Sequence, residues 1–120
     1  MERKILGDAG EDQASRYLTE QGYHIIERNY RLRCGEIDLI AEKDDFLVFV
    51  EVKTRTEDQF LRPASNVGRS KMNRIVRTSL YYMKTRERFD KMVRFDVIEI
   101  CQDRLNHIEG AFEYSGKLGY

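Results

Sequence analysis

The sequence predicts an α/β domain with a mixed β-sheet flanked by helices. Three observations lead there. Helical and strand periods alternate along the chain in the order helix, three strands, helix, one or two strands. Phe46 to Lys53 is a nearly continuous apolar and β-branched run, the pattern of a central strand covered on both faces. From about Ser70 to Thr85, the apolar residues Met72, Ile75, Val76, Leu80 and Met83 recur at helical spacing, while Arg74, Arg77 and Lys84 project from the opposite side. A chain of 120 residues without a Pro, Gly or Ser-rich stretch fits one domain over residues 1–120.

The first helix is expected from about Gly7 to Gln21, with Ala14, Tyr17 and Leu18 on one side and Gly22 where a helix commonly stops. Tyr23 to Arg33 is strand-like in composition but irregular in alternation. Cys34-Gly35 provides a turn, and Glu36 to Ala41 begins with polar and apolar residues alternating at the strand period. Lys43-Asp44-Asp45 is the expected hairpin tip before the central strand. Thr54 to Gly68, which holds the single proline Pro63, shows no period and is expected to be a loop. Val93 to Ile100 reads as a strand and Asn106 to Phe112 as a weaker one, after a turn around Gln102-Asp103-Arg104. The rings of Tyr81 and Tyr82 on the second helix are expected to be buried.

Composition excludes several function classes. Hydrophobic residues make up 41% of the chain and charged residues 35%, enough for a modest core beneath a charged surface. No apolar run approaches the roughly 20 residues that cross a bilayer, and the start Met-Glu-Arg-Lys lacks a secretory apolar segment, so the cytosol is the expected compartment. Cys34 and Cys101 lie far apart, show no partner pattern and are expected as free thiols; with only His24 and His107 available, the chain offers no convincing zinc cluster. Nothing resembles a Ser-His-Asp triad or a phosphate-cradling glycine loop. The formal net charge is zero, yet Arg69 to Arg94 carries nine basic residues against Glu87 and Asp90, a local net charge of +7. That stretch is either a phosphate-facing surface or a solvated helix face.

The informative feature is acid on two neighbouring strands: Asp38 in Gly-Glu-Ile-Asp-Leu-Ile, then Glu51 and Lys53 in Val-Glu-Val-Lys. Residues two apart on a strand share a face, and any hairpin loop with an even number of residues puts Asp38 on that face too. Pairing Asp38 with Glu51 sets Glu42 opposite Leu47 and leaves a loop from Lys43 to Phe46. Magnesium prefers oxygen ligands and keeps several waters, so two such carboxylates with a backbone carbonyl suit it, or manganese, while leaving positions for water and a phosphate oxygen. Lys53 beside the metal could orient the attacking water or stabilise charge on the phosphate. Its pKa is pulled both ways, upward by Glu51 and downward by desolvation and the metal, so the sign is open. The plain alternative is a polar strand end; against it, Glu51 and Lys53 close a very apolar run, where unpaired charges are costly, and one simple hairpin brings Asp38 alongside.

These residues resemble the PD-(D/E)XK nuclease superfamily, and more closely the YraN family of bacterial proteins regarded as endonucleases related to archaeal Holliday junction resolvases. The resemblance rests on Gly7-x-x-Gly10-Glu11 with Ala14, Tyr17 and Leu18, on Glu27-Arg28-Asn29-Tyr30, on Gly35 to Ile40, on Val48 to Arg55, on Lys71, and on Arg94-Phe95-Asp96-Val97. It implies a restriction-endonuclease-like αβββαβ core. It assigns Asp38 and Glu51 to metal, Lys53 to catalysis, and Glu11 to a supporting acidic position; for Glu11 a first-turn glutamate favoured by the helix dipole is the other reading. Ile37 stands where the superfamily motif has proline, as is usual in the closer family, and Phe60-Leu61-Arg62-Pro63 departs from relatives that have glycine after the aromatic.

Around this centre, Arg28, Arg31 and Arg33 could contact phosphates, with Tyr30 stacking on a base, or could protect a strand edge. Arg55 could meet the scissile phosphate or form a salt bridge within its loop. Lys71, Arg74 and Arg77 would extend the phosphate-facing surface. His24 and His107 read as ordinary strand histidines. The expected function is a magnesium-dependent DNA endonuclease, structure-selective for junctions, flaps or single strands. The rival is a nuclease-fold DNA-binding module without turnover that docks to a recombination or repair partner, and fold alone cannot separate the two. By analogy with resolvases the chain would form a homodimer.

Overall fold

The computed structural model describes residues 2–63 and 67–113, with side chains from Ala9 onward. The elements in chain order are α1 (Glu2–Glu20), β1 (His24–Leu32), β2 (Gly35–Lys43), β3 (Phe46–Thr54), α2 (Glu57–Phe60), α3 (Arg69–Thr85), β4 (Met92–Cys101) and β5 (Arg104–Phe112). The five strands form one sheet in sequential order, antiparallel throughout except for the parallel pair β3 and β4. That pair needs a crossover, and α3 supplies it. The result is a mixed sheet with α1 on one face and α3 on the other, an α/β fold consistent with the restriction-endonuclease-like core.

Both faces of β3 are covered, as its apolar run predicts. Val48 and Val50 pack under Ala14 and Leu18 of α1, while Leu47 and Phe49 pack under Ile75, Val76 and Tyr82 of α3. Fully burying side chains of this size contributes roughly 1.5–3 kcal/mol each. The alternation matters for function: residues that continue the Leu47 and Phe49 face, Glu51 and Lys53, emerge on the α3 side where the core ends.

Several boundaries differ from the sequence expectation. Helix α1 begins at Glu2, not Gly7, because the helix formers before Gly7 carry the turn through it. It stops as expected: Gly22 has φ +93°, its N–H donates to Thr19 O at 3.1 Å, and the Tyr23 N–H donates to Leu18 O at 2.9 Å, the paired bonds of a Schellman cap. The irregular alternation of β1 is a bulge between Ile25 and Glu27, with Asn29 at φ +54°. The β2–β3 hairpin turns on two residues, Asp44 and Asp45, since Lys43 pairs with Phe46; Asp44 takes the positive φ of +54° that so tight a turn requires. Within the stretch expected as loop, Glu57–Phe60 forms a helical turn closed by a capping box: the Gln59 N–H donates to Thr56 Oγ1 at 3.2 Å and the Thr56 N–H to Gln59 Oε1 at 3.0 Å. Strand β5 starts at Arg104, inside the expected turn. Of the two tyrosines on α3 only Tyr82 is buried, at 1% exposure, whereas Tyr81 is 52% exposed. Cys34 and Cys101 are free thiols, and among the described residues no helix is long and apolar enough to cross a membrane.

Candidate functional site

The β2–β3 ladder runs from Lys43↔Phe46 through Glu42↔Leu47 to Leu39↔Val50, and its register brings Asp38 and Glu51 next. There the backbone pairing gives way to a side chain. The Asp38 carboxylate accepts the Val52 N–H at 2.8 Å, so the acid stands in for a main-chain partner at the point where the strands open. Burial, then the Glu51 charge, push the Asp38 carboxyl up to about 7; the Val52 N–H opposes them, and Glu11 and Glu36 add to the rise. Three acids, from α1, β2 and β3, therefore act on Asp38. Glu36 is the member the sequence reading missed, although it stands two residues before Asp38 and so recurs at the strand period.

Two glycines let the helices close on this point. A Cβ on Gly10 would lie 3.1 Å from Thr54 Oγ1, so its absence lets α1 approach the end of β3 and carries Glu11, buried at 8% exposure, toward Asp38. Glu11 lies well inside a helix that starts at Glu2, which removes the dipole explanation of its position. A Cβ on Gly35 would lie 2.7 Å from Thr78 Oγ1 and 3.1 Å from Arg74 O, so glycine there lets α3 lie directly over the start of β2. That approach delivers Lys71 and Arg74. Lys71 Nζ sits 3.1 Å from Glu51 Oε1, and Glu36, Asp38, Glu51, Lys71 and Arg74 line a cleft of about 180 Å³.

Lys53 is half-buried beside the cleft and is not among the residues lining it. Its pKa is lowered, first by desolvation and then by the neighbouring Arg55 and Lys71 charges, against the pull of Glu51 and Glu99. The sign that sequence left open is thus negative. Arg55 donates from Nε to Glu99 Oε2 at 3.1 Å, and Asn106 reaches the other oxygen of Glu99 at 3.5 Å. Glu99 is buried at 3% exposure and lies opposite Lys53 in the parallel register. Its only sequence signal is a charge inside the apolar run Val97-Ile98-Glu99-Ile100.

The remaining arginines spread outward. Arg28 pairs with Asp12 at 2.7 Å and lies 4.0 Å from Glu11, tying β1 to α1; Arg31 pairs with Glu36 at 3.2 Å at the rim of the acidic cluster. Arg33 is exposed in the β1–β2 turn. Arg74 donates to Ser70 Oγ at 3.0 Å, and Arg77 lies farther along the exposed side of α3 with Lys84. His107 lies on strand β5, as expected, with its side chain buried and bonded to Asp96 and Tyr17, away from the cleft.

Among the described residues, no three His, Cys, Asp or Glu side chains form a ready metal cage. The donor set is two carboxylates beside an opened strand, which suits a hard cation that retains much of its water. The raised Asp38 pKa fits as well, since a dication is what would relieve the crowded negative charge.

The description "Uncharacterised protein family UPF0102" belongs to the family model that matches residues 10–100. The chain belongs to the UPF0102 family. UPF0102 proteins similar to it include one from Persephonella marina, 40% identical over 91% of this chain and 94% of the relative, and one from Clostridioides difficile, 42% identical over 93% and 100%. A third, from Rhodococcus opacus, is 46% identical over 89% of this chain and 95% of the relative. The UPF0102 match spans every residue lining the cleft, takes in Glu11 on α1 and Glu99 on β4 as well, and stops before β5. The family is the YraN family that the sequence resembles.

Proposed function

We propose that this UPF0102 protein is a magnesium- or manganese-dependent endonuclease that hydrolyses phosphodiester bonds in DNA, in recombination or repair in the cytosol. One observation carries the reading: Asp38 and Glu51 meet where the strand ladder opens, in a cleft where burial and then the neighbouring acids push Asp38 up to about 7. A protein that needed only a stable sheet would pair these positions with apolar residues. Asp38 and Glu51 would hold the cation, and Glu11 would steer it by charge. When bound, the metal supplies Lewis acidity toward a phosphoryl oxygen and a water acidified for attack.

The chain's own groups supply the rest. Arg74 and Lys71 bring a phosphate to the cleft, and Arg28, Arg31, Arg33 and Arg77 extend the basic surface along the backbone of the nucleic acid. Lys53, partly desolvated, faces the charge that builds on the phosphate, while Glu99 holds Arg55 on the same side. The second reading, a DNA-docking module without turnover that serves a recombination or repair partner, is favoured by the Lys71–Glu51 ion pair, which satisfies Glu51 without any metal. A homodimer is carried over by analogy with resolvases.

Calorimetric titration with magnesium and manganese tests the metal assignment. Binding should occur in the wild type and vanish in the double variant Asp38→Asn with Glu51→Gln. Binding that survives the double change moves the metal elsewhere, and its absence from the wild type, even with DNA present, removes the enzyme reading.

A further inference from the structure

Resting on the metal reading above, we propose that Lys71 is an exchangeable stopper: its ammonium holds Glu51 until a divalent cation takes the carboxylate, and it then turns to a DNA phosphate at the mouth of the cleft. The contact is direct, Nζ to Oε1 at 3.1 Å. The two partners are unequally held. The Glu51 side chain is 13% exposed and anchored on a central strand, whereas that of Lys71 is 45% exposed and comes from a different element, the first turns of α3. Lysine can therefore swing outward without disturbing the sheet. Its charge is a compact point on a flexible stem, unlike the fixed fork of an arginine.

The electrostatics give the exchange a direction. Glu36, Asp38 and Glu51 line the cleft with Lys71 and Arg74, and Arg74 is turned toward Ser70 Oγ at 3.0 Å. A single ammonium offsets part of the acidic charge; a dication offsets more and shares both carboxylates. Once displaced, Lys71 remains at the entrance, where its charge meets the polyanion that must enter. Metal and DNA then favour each other's binding, and this coupling is reciprocal by linkage. A merely structural ion pair predicts none of this, since its loss would weaken the fold and leave metal affinity unchanged or lower.

Manganese titrations of Lys71→Met and Lys71→Arg decide the matter, run without DNA and then with a short duplex, all in a Lys53→Met background so that strands stay whole. Without DNA, Lys71→Met should bind manganese about threefold or more tightly than its parent, the scale of a partly exposed ion pair. Lys71→Arg should bind at or below the parental affinity, and the duplex should improve manganese affinity less in Lys71→Met than in the parent. Thermal melts confirm that each variant is folded. Unchanged or weaker manganese binding by folded Lys71→Met, beside a parent that binds, overturns the stopper and leaves the metal site standing. No manganese binding by the parent or any variant overturns both.

Discussion

Asp38 and Asp96 are carboxylates of the same sheet that were given opposite surroundings. Asp96 on β4 is 1% exposed and fully served: Arg94 donates from Nε at 2.9 Å and Nη2 at 2.8 Å, His107 from Nε2 at 2.7 Å, and the Gly110 N–H at 3.0 Å. His107 Nδ1 in turn lies 3.1 Å from the Tyr17 hydroxyl, and Arg94 also donates to Tyr23. Burial alone would raise the Asp96 pKa, but the bonds from His107, Arg94 and Gly110 outweigh it and hold the group below the ordinary carboxylate range. Asp38 has one backbone donor and lies in the field of Glu51, Glu11 and Glu36. The first arrangement ties α1, β4 and β5 together. The second crowds like charges around one acid.

The largest effect should come from spoiling the satisfied site. Asp96→Asn leaves Arg94 and His107 facing a neutral amide in a buried place, and should cost about 3 kcal/mol or more at neutral pH, read from denaturant melts. Because the folded pKa is depressed, the wild-type contribution is present above the unfolded value of roughly 3.9 and is lost as pH falls through the folded value. The gap between wild type and variant should therefore narrow in acid. A gap that is small at pH 7, or that widens below pH 4, breaks the contrast.

A smaller effect of opposite sign is expected at Asp38. Its folded pKa of about 7 lies above the unfolded value, so its contribution is fully present below roughly pH 4 and is lost as pH rises through about 7. Asn mimics the protonated acid and still accepts the Val52 N–H. Metal-free Asp38→Asn should be more stable than wild type at pH 8, by about 1 kcal/mol after discounting for partial exposure, with the gain shrinking toward pH 4. Equal or lower stability at pH 8 would mean that Asp38 is an ordinary structural carboxylate.

The same contrast explains what sequence could and could not reveal. The register of Asp38 and Glu51 was legible because strand periodicity is rigid: a two-residue turn replaces the expected four-residue loop, both are even, and Glu42 still faces Leu47. The short helix α2 was legible in principle, since Thr56-x-x-Gln59 is a capping box that the search for apolar periodicity passes over. The Asp96 network was not, because Tyr17 and His107 meet across 90 residues and only the folded sheet makes them neighbours. Nor was the sign of the Lys53 shift, which depends on how far burial and the charges of Arg55 and Lys71 outweigh Glu51.

Cleavage by the Lys53→Met variant tests the central claim most directly, assayed under single turnover on duplexes, flaps, four-way junctions and single strands with magnesium or manganese. Methionine keeps much of the aliphatic stem and removes the ammonium, so DNA and metal binding should change modestly. Cleavage should fall by roughly a hundredfold or more, the scale of losing one preorganised donor. A wild type that binds one of these substrates tightly and cuts none would contradict the account and leave a DNA-docking module in its place.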